Sequence, residues 1–468
     1  MASHTIDRPR PTAADLSERA KRHLWMHFTR LGSFAERPIP VIVRGEGCYV
    51  FDASGQRYLD GLSALFCVNS GHGRREIGEA AAAQVAELEF FQAWGFAHPR
   101  AVELAERVAG LAPGDLNRVF FTSGGSEAVE SALKLTRAYH RLRGDLRRTK
   151  VIAREVAYHG TSLGALSATG IPAMRHDFEP LTPGGCHVPN TNAYRQPADR
   201  DPLWAADAIE HRILFEGPDT VAAVILEPMQ NGGGCLAPPD GYFQRVREIC
   251  DRHGVLLISD EVICAWGRLG EYFGADHYGY QPDLITTAKG LTSAYAPLGA
   301  LIASDRVAEP FQEGDAMFAH GFTFAAHPVC AAVALANLDV FEREDLCGHV
   351  RAKAGEFRKM LESLRDIPIV GDVRGDGFFY AIELVADQAT AARFSAEQVR
   401  TLVREILPGE LAARGLITRV DDRGGDPLIL LCPPLIADTP QFEEIESALR
   451  PALAAASDRM LAGTGVAS

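Results

Sequence analysis

The feature that most restricts this chain is a series of short apolar runs, rich in β-branched residues and leucine, alternating with helical stretches through its centre. The runs fall at 118–121, 151–153, 221–226, 255–258, 284–287 and 298–302. Segments this short and this continuously apolar suit strands buried on both faces. Alternation with helices makes the sheet mostly parallel, so the fold class is α/β. Ahead of it, Val41-Ile42-Val43, Cys48-Tyr49-Val50-Phe51-Asp52, the turn Ala53-Ser54-Gly55 and Arg57-Tyr58-Leu59 read as a hairpin. The stretch 75–111 is Ala/Glu-rich and helical. After about residue 330 a helical stretch leads into a smaller α+β region with a strand at 377–383.

Composition excludes several roles. A net charge of -14 disfavours a nucleic-acid surface, and the one basic stretch, 141–148, reads as a solvated helix end and turn. Nine cysteines are scattered, with no Cys-x-x-Cys pair and no Cys/His cluster of zinc spacing, so no metal site is expected. Reduced thiols and a cytoplasmic location fit this usage. The first 22 residues lack the apolar core of a signal peptide and read as a flexible arm. No apolar run reaches the roughly 18 residues of a membrane span.

In an open parallel sheet, functional groups gather beyond the carboxyl ends of the strands. After 118–121 comes Thr122-Ser123-Gly124-Gly125-Ser126-Glu127, then a helix with Val129, Ala132, Leu133 and Thr136 on one stripe. Small residues and hydroxyls at such a turn let backbone N–H groups approach a phosphate, although a plain turn with a serine cap has the same look. Glu227-Pro228 follows 221–226, and Ser259-Asp260-Glu261 follows 255–258. An acid ending a buried strand needs a partner, whether a cap, an ion pair or a ligand. Ala288-Lys289-Gly290 follows 284–287, where the lysine either reaches to solvent or uses its amine. Together, a phosphate cradle, a carboxylate and a lysine meet the three needs of pyridoxal 5′-phosphate: donors for its phosphate, an anion for its ring nitrogen and an amine for its aldehyde.

On these residues the chain resembles the class III aminotransferases of the fold-type I pyridoxal-phosphate group, from about residue 23 to 450. The carrying segments are Asp60-Gly61-Leu62, Phe121-Thr122-Ser123-Gly124-Gly125-Ser126-Glu127-Ala128, Tyr158-His159-Gly160, Glu227-Pro228, Ser259-Asp260-Glu261-Val262, Ala288-Lys289-Gly290 and His320-Gly321-Phe322-Thr323. The resemblance implies a large domain with a mostly parallel seven-stranded sheet (76–335) and a small α+β domain from both chain ends (23–75 and 336–468). It implies that Lys289 carries the cofactor as an imine and moves the substrate proton, and that Asp260 pairs with the pyridinium nitrogen. Gly124, Gly125 and Ser126 would hold the phosphate, with Phe322 and Thr323 reaching in from the other subunit of a homodimer or dimer of dimers. Tyr158 and Val262 would cover the two ring faces, and Glu227 would sit near the cofactor. Arg419 aligns with a mobile arginine that binds a substrate carboxylate, where a surface ion pair with Asp421 or Asp422 is the plainer reading.

Two departures stand out. Ser123-Gly124 replaces the Asn-Ser of many relatives, and Ile263 replaces the glutamine usual in the γ-aminobutyrate and ornithine members. Asp-Glu-Val-Ile resembles the amine:pyruvate and β-alanine:pyruvate branch, as do His23-Leu24-Trp25 and Leu65-Phe66-Cys67-Val68-Asn69. Phe66 and Trp94 are candidate pocket walls. The implied reaction is ping-pong transfer of an amino group from a primary amine or ω-amino acid to pyruvate or another 2-oxo acid. An aminomutase or decarboxylase would share these motifs. Gly160-Thr161-Ser162-Leu163-Gly164 also fits a nucleophile elbow with Ser162, but residues 154–159 separate it from the preceding run. No G-x-G-x-x-G opens a helix after a strand, which excludes a nicotinamide dehydrogenase of that type.

Overall fold

The computed structural model describes residues 11–197 and 199–462. The predicted hairpin is present as β1 (Ile42–Glu46), β2 (Tyr49–Asp52) and β3 (Arg57–Asp60), paired antiparallel in that order. Its second turn closes because Asp52 Oδ1 accepts the N–H groups of Ser54 and Gln56 at 2.9 and 3.0 Å.

The central sheet has seven strands: β4 (Leu116–Thr122), β5 (Lys150–Arg154), β6 (Gly185–Val188), β7 (Val221–Leu226), β8 (Leu256–Asp260), β9 (Leu284–Thr287) and β10 (Gly299–Ser304). Their order is β4-β10-β9-β8-β7-β5-β6. The pairs from β9 through β6 are parallel, while β10 runs antiparallel to both β9 and β4. Every residue of β7 and β9 is buried because both faces are covered. Val224 and Leu226 face a cluster built with Ile209, Phe243 and Ile249, whereas Ala223 and Ile225 face one built with Val129, Ala132 and Leu133. Two-sided covering erases the polar–apolar alternation that a half-exposed strand would show.

The later part of the chain forms an antiparallel sheet from β11 (Val370–Asp376), β12 (Phe379–Leu384), β14 (Arg419–Asp421) and β15 (Leu428–Leu431), in the order β11-β12-β15-β14. The short β13 (Leu416–Ile417) crosses to the hairpin and pairs parallel to β3. Gly61 is required at this junction, since a Cβ there would lie 2.9 Å from Leu416 Cδ1 and 3.0 Å from the Ile417 carbonyl.

Two elements depart from expectation. Residues 1–10 of the expected arm lie outside the described residues, but Ala13–His23 is a helix rather than an irregular arm. It starts at a capping box, in which Thr12 Oγ1 accepts the Asp15 N–H and Asp15 Oδ2 accepts the Thr12 N–H. The sheet also gains the edge strand β6, whose Gly-Cys-His-Val sequence carries too little apolar character to stand out.

Candidate active site

Two neighbouring parallel strands deliver the central pair. Asp260 ends β8, in register with Thr286 of β9, and Lys289 lies three residues beyond Thr286. Asp260 is only 4% exposed. Its carboxylate is oriented from both sides: Oδ2 is 2.7 Å from His159 Nδ1, and Oδ1 accepts from the Thr286 hydroxyl and the Val262 N–H, each at 3.2 Å. Lys289 adopts φ +41°, a left-handed conformation that costs a non-glycine residue on the order of 1 kcal/mol and persists where the surroundings impose it. The surroundings are tight, because a Cβ on Gly290 would collide with Asn69 Nδ2 and sit 2.9 Å from Trp266 Cβ. The Gly290 and Leu291 carbonyls each accept from Asn337 Nδ2 at 3.0 Å. Among the described residues no carboxylate pairs with the Lys289 amine.

Behind this pair, the helix Gly125–Leu142 points its N-terminus into the site. Its first intrahelical bond runs from the Ala128 N–H to the Gly124 carbonyl, so the N–H groups of Gly125, Ser126 and Glu127 have no intrahelical acceptor. Gly125 leaves room for Val262, which a Cβ would meet at 2.8 Å. Ser126 Oγ accepts the Thr161 N–H at 3.1 Å and lies 2.5 Å from where a Gly160 Cβ would project. The Tyr158-His159-Gly160 segment and the helix start are therefore packed directly together.

Glu227 is buried at the end of β7, accepting the Tyr158 N–H at 3.3 Å on Oε1 and the Asn231 N–H at 3.0 Å on Oε2. Burial pushes its carboxyl above the usual range, against the pull of His159 and Arg154. Burial likewise raises the Tyr158 phenol, opposed by the nearby Arg419 guanidinium. Arg419 itself, on β14, makes the plainer contact: its Nη2 is 2.9 Å from Asp421 Oδ2. It nevertheless stands within electrostatic reach of Tyr158, and burial pulls its guanidinium below the ordinary value.

Asp260, Gly124, Gly125, Ser126, Tyr158, Val262 and Glu227 thus converge through the contacts above, with Lys289 just beyond the strand paired to that of Asp260 and Arg419 at their edge. Other candidates fall elsewhere. Phe66 is core rather than an open wall, with its ring edge-on to Phe379 at 5.8 Å and buried with Ile263 and Met229. Trp94 is 87% exposed in the single chain. Thr323 is exposed and Phe322 half-buried, the latter edge-on to His320 at 4.9 Å. Ser162 sits at the start of a short helix without a side-chain capping bond, residues 155–161 lie between it and β5, and its Oγ meets no histidine among the described residues, so the elbow reading fails.

Sequence reasoning gave no role to His159, although its motif was visible. It also missed Arg154 and Arg268, both fully buried. Arg154 Nη2 donates to the Glu227 carbonyl at 2.5 Å. Arg268 Nη1 donates to the Phe378 and Pro433 carbonyls at 3.2 and 2.6 Å, and Nη2 to Asn69 Oδ1 at 2.6 Å. Asn69 is the residue against which Gly290 closes, so this guanidinium supports the lysine turn from behind.

The donor set suits pyridoxal phosphate: N–H groups and a hydroxyl at a helix N-terminus, a fixed carboxylate, and an amine without a counter-ion. Comparison with known proteins agrees. Residues 33–453 match the family Aminotransferase class-III. A probable aminotransferase of Mycobacterium tuberculosis is 56% identical over 449 residues, 95% of either chain. The putrescine–pyruvate aminotransferase of Pseudomonas aeruginosa is 39% identical over 432 residues, 91% of this chain and 93% of that one. The solved (S)-enantioselective omega-transaminase from Thermomicrobium roseum superposes with a TM-score of 0.92 at 40% identity, covering 95% of this chain and 99% of that one. An omega transaminase from Pseudomonas jessenii, solved in complex with PMP, gives 0.90 at 33% identity, covering 96% and 100%. With the family matched across nearly the whole sequence and the architecture shared to this degree, the chain belongs to the class III aminotransferases and has the fold-type I form.

Proposed function

We propose that the protein moves the amino group of a primary amine or ω-amino acid to pyruvate or a related 2-oxo acid, with pyridoxal 5′-phosphate bound at the convergence of β8, β9 and the helix Gly125–Leu142. The observation that carries this is a buried, doubly oriented carboxylate, Asp260, beside the strand that leads to Lys289, whose amine pairs with no carboxylate among the described residues. Bound there, the cofactor supplies an aldehyde that captures amines and a protonated ring that accepts electrons from a substrate carbon. Lys289 would hold the aldehyde, and its amine would carry the proton removed from the substrate carbon. Asp260 keeps the ring nitrogen protonated. Gly124, Gly125 and Ser126 would donate to the phosphate, with Phe322 beside it and Thr323 completing it from the second subunit of a homodimer. Tyr158 and Val262 would flank the ring, Glu227 would shape the substrate side, and Arg419 would receive the carboxylate of the oxo acid.

A two-domain division at about residues 75 and 335 and a cytoplasmic location belong to the same reading. The second is supported by nine unpaired cysteines and by the lack, among the described residues, of any helix long and apolar enough to cross a membrane. Borohydride reduction of the purified protein followed by peptide mass mapping is the direct test. A pyridoxyl adduct on Lys289 is expected, and its absence or its appearance on another lysine overturns the reading. Initial rates with amine donors and pyruvate should give parallel, ping-pong patterns with alanine as product. Turnover of one substrate alone would indicate an aminomutase or decarboxylase instead.

A further inference from the structure

Arg419 and Asp421 stand two residues apart on β14, so the pleat places both side chains on one face. The Asp421 carboxylate that holds Arg419 is also gripped by Arg423. Arg423 Nε lies 3.0 Å from Oδ1, its Nη2 lies 2.8 Å from Oδ2, and its own N–H donates to Oδ1 at 3.0 Å. One carboxylate therefore serves two guanidinium groups. The Arg419–Asp421 pair is largely withdrawn from water, with side chains 21% and 13% exposed. Burial lowers the Arg419 guanidinium and raises the Asp421 carboxyl. A pair so placed is screened far less than a surface pair, and each partner feels the loss of the other.

We propose that Asp421 is a specificity-determining positioning residue: it competes with the substrate carboxylate for Arg419 and so sets the balance between carboxylate-bearing and carboxylate-free substrates. This inference rests on the reading of Arg419 as the carboxylate-binding group. A substrate with a carboxylate must draw Arg419 away from Asp421, which Arg423 continues to neutralise. A substrate without one leaves the pair intact and meets no bare cation. Only this difference in contact between the two arrangements can move the equilibrium. Arg423 acts on the same balance with opposite sign, because its hydrogen bonds weaken what Asp421 offers to Arg419.

The test uses the holoenzyme with one amine donor and two acceptors, pyruvate and propanal, and reads the ratio of their kcat/KM values. Asp421→Asn is expected to raise the pyruvate-to-propanal ratio about threefold to tenfold, chiefly through a lower KM for pyruvate, as loss of one charge-assisted hydrogen bond implies. Arg423→Met is expected to lower the ratio. Propionate, which binds without turnover, should inhibit Asp421→Asn more tightly and Arg423→Met more weakly. General damage to the fold would depress both acceptors together and leave the ratio unchanged. If Asp421→Asn does not fold, Arg423→Met decides alone by the sign of its shift. Arg419→Ala separates the two levels of the argument. An unchanged ratio in that variant overturns the carboxylate role of Arg419 itself. A collapsed ratio there, with Asp421→Asn and Arg423→Met unchanged or shifted the same way, overturns only the role of Asp421.

Discussion

His159 Nδ1 and Asp260 Oδ2 lie 2.7 Å apart with both side chains buried. A carboxylate can only accept, so Nδ1 is the donor, and among the described residues His159 Nε2 has no hydrogen-bond partner. The imidazole thus holds Oδ2 while Thr286 and the Val262 N–H hold Oδ1, which fixes the plane of the carboxylate. His159→Ala should lower kcat about tenfold or more, the equivalent of the roughly 1–3 kcal/mol lost when a buried partner is removed. Asp260→Asn should lose far more. Steady-state kinetics on both variants checks the ordering, and an Asp260→Asn enzyme as active as His159→Ala would contradict it.

Lys289→Ala should fold, since its φ of +41° strains lysine and alanine alike. Its turnover should fall about a hundredfold to ten-thousandfold, the range for losing a positioned proton-transfer group. A thermal melt beside an alanine-formation assay separates the two effects.

Gly125→Ala places a methyl 2.8 Å from Val262 Cγ1 and 3.1 Å from Cγ2, and a β-branched side chain has little freedom to give way. Overpacking of this kind costs about 1–3 kcal/mol and should loosen cofactor retention, read by the melting temperature and by cofactor absorbance after gel filtration. Adding Val262→Ala should restore much of the melting temperature. If the double variant is no better than the single one, the steric account is wrong.

Glu261 does structural work beside the site. Its oxygens accept the Gly274 N–H at 2.5 Å and the Ala275 N–H at 2.8 Å, and burial pushes its carboxyl up to about 7 from 4.5. Between those values the folded state holds a proton that the unfolded chain has released, so stability falls as pH rises through that window. The contribution is flat below pH 4.5 and above about 7. Relative to Glu261→Gln, the native protein should lose stability by up to about 1.4 kcal/mol per pH unit within the window. Denaturant titrations at several pH values measure that difference, and a constant difference would refute it.

What the sequence made legible followed from burial. β7 and β9 match their apolar runs residue for residue because two covered faces leave no polar interruption. β6 escaped notice because a sheet edge tolerates Gly, Cys and His. Asp260 and Lys289 could be singled out because charged residues ending buried strands are conspicuous in one dimension. The partners of those residues could not. His159 precedes Asp260 by 101 positions, and Arg268 meets carbonyls 110 and 165 positions away. Such contacts depend on how layers stack and leave no local pattern. Arg419 shows the converse, since Asp421 was visible as its neighbour but the competing grip of Arg423 emerges only from side-chain geometry.

Arg268 also imposes an order of assembly. The last of its acceptors in chain order, the Pro433 carbonyl, lies 165 positions further along the chain. Until it arrives, the guanidinium cannot complete its bonds or brace Asn69 against the turn at Gly290. Lys289 would therefore be made before its turn could be locked, and a chain truncated before Pro433 would carry the central sheet but leave that turn without its backstop.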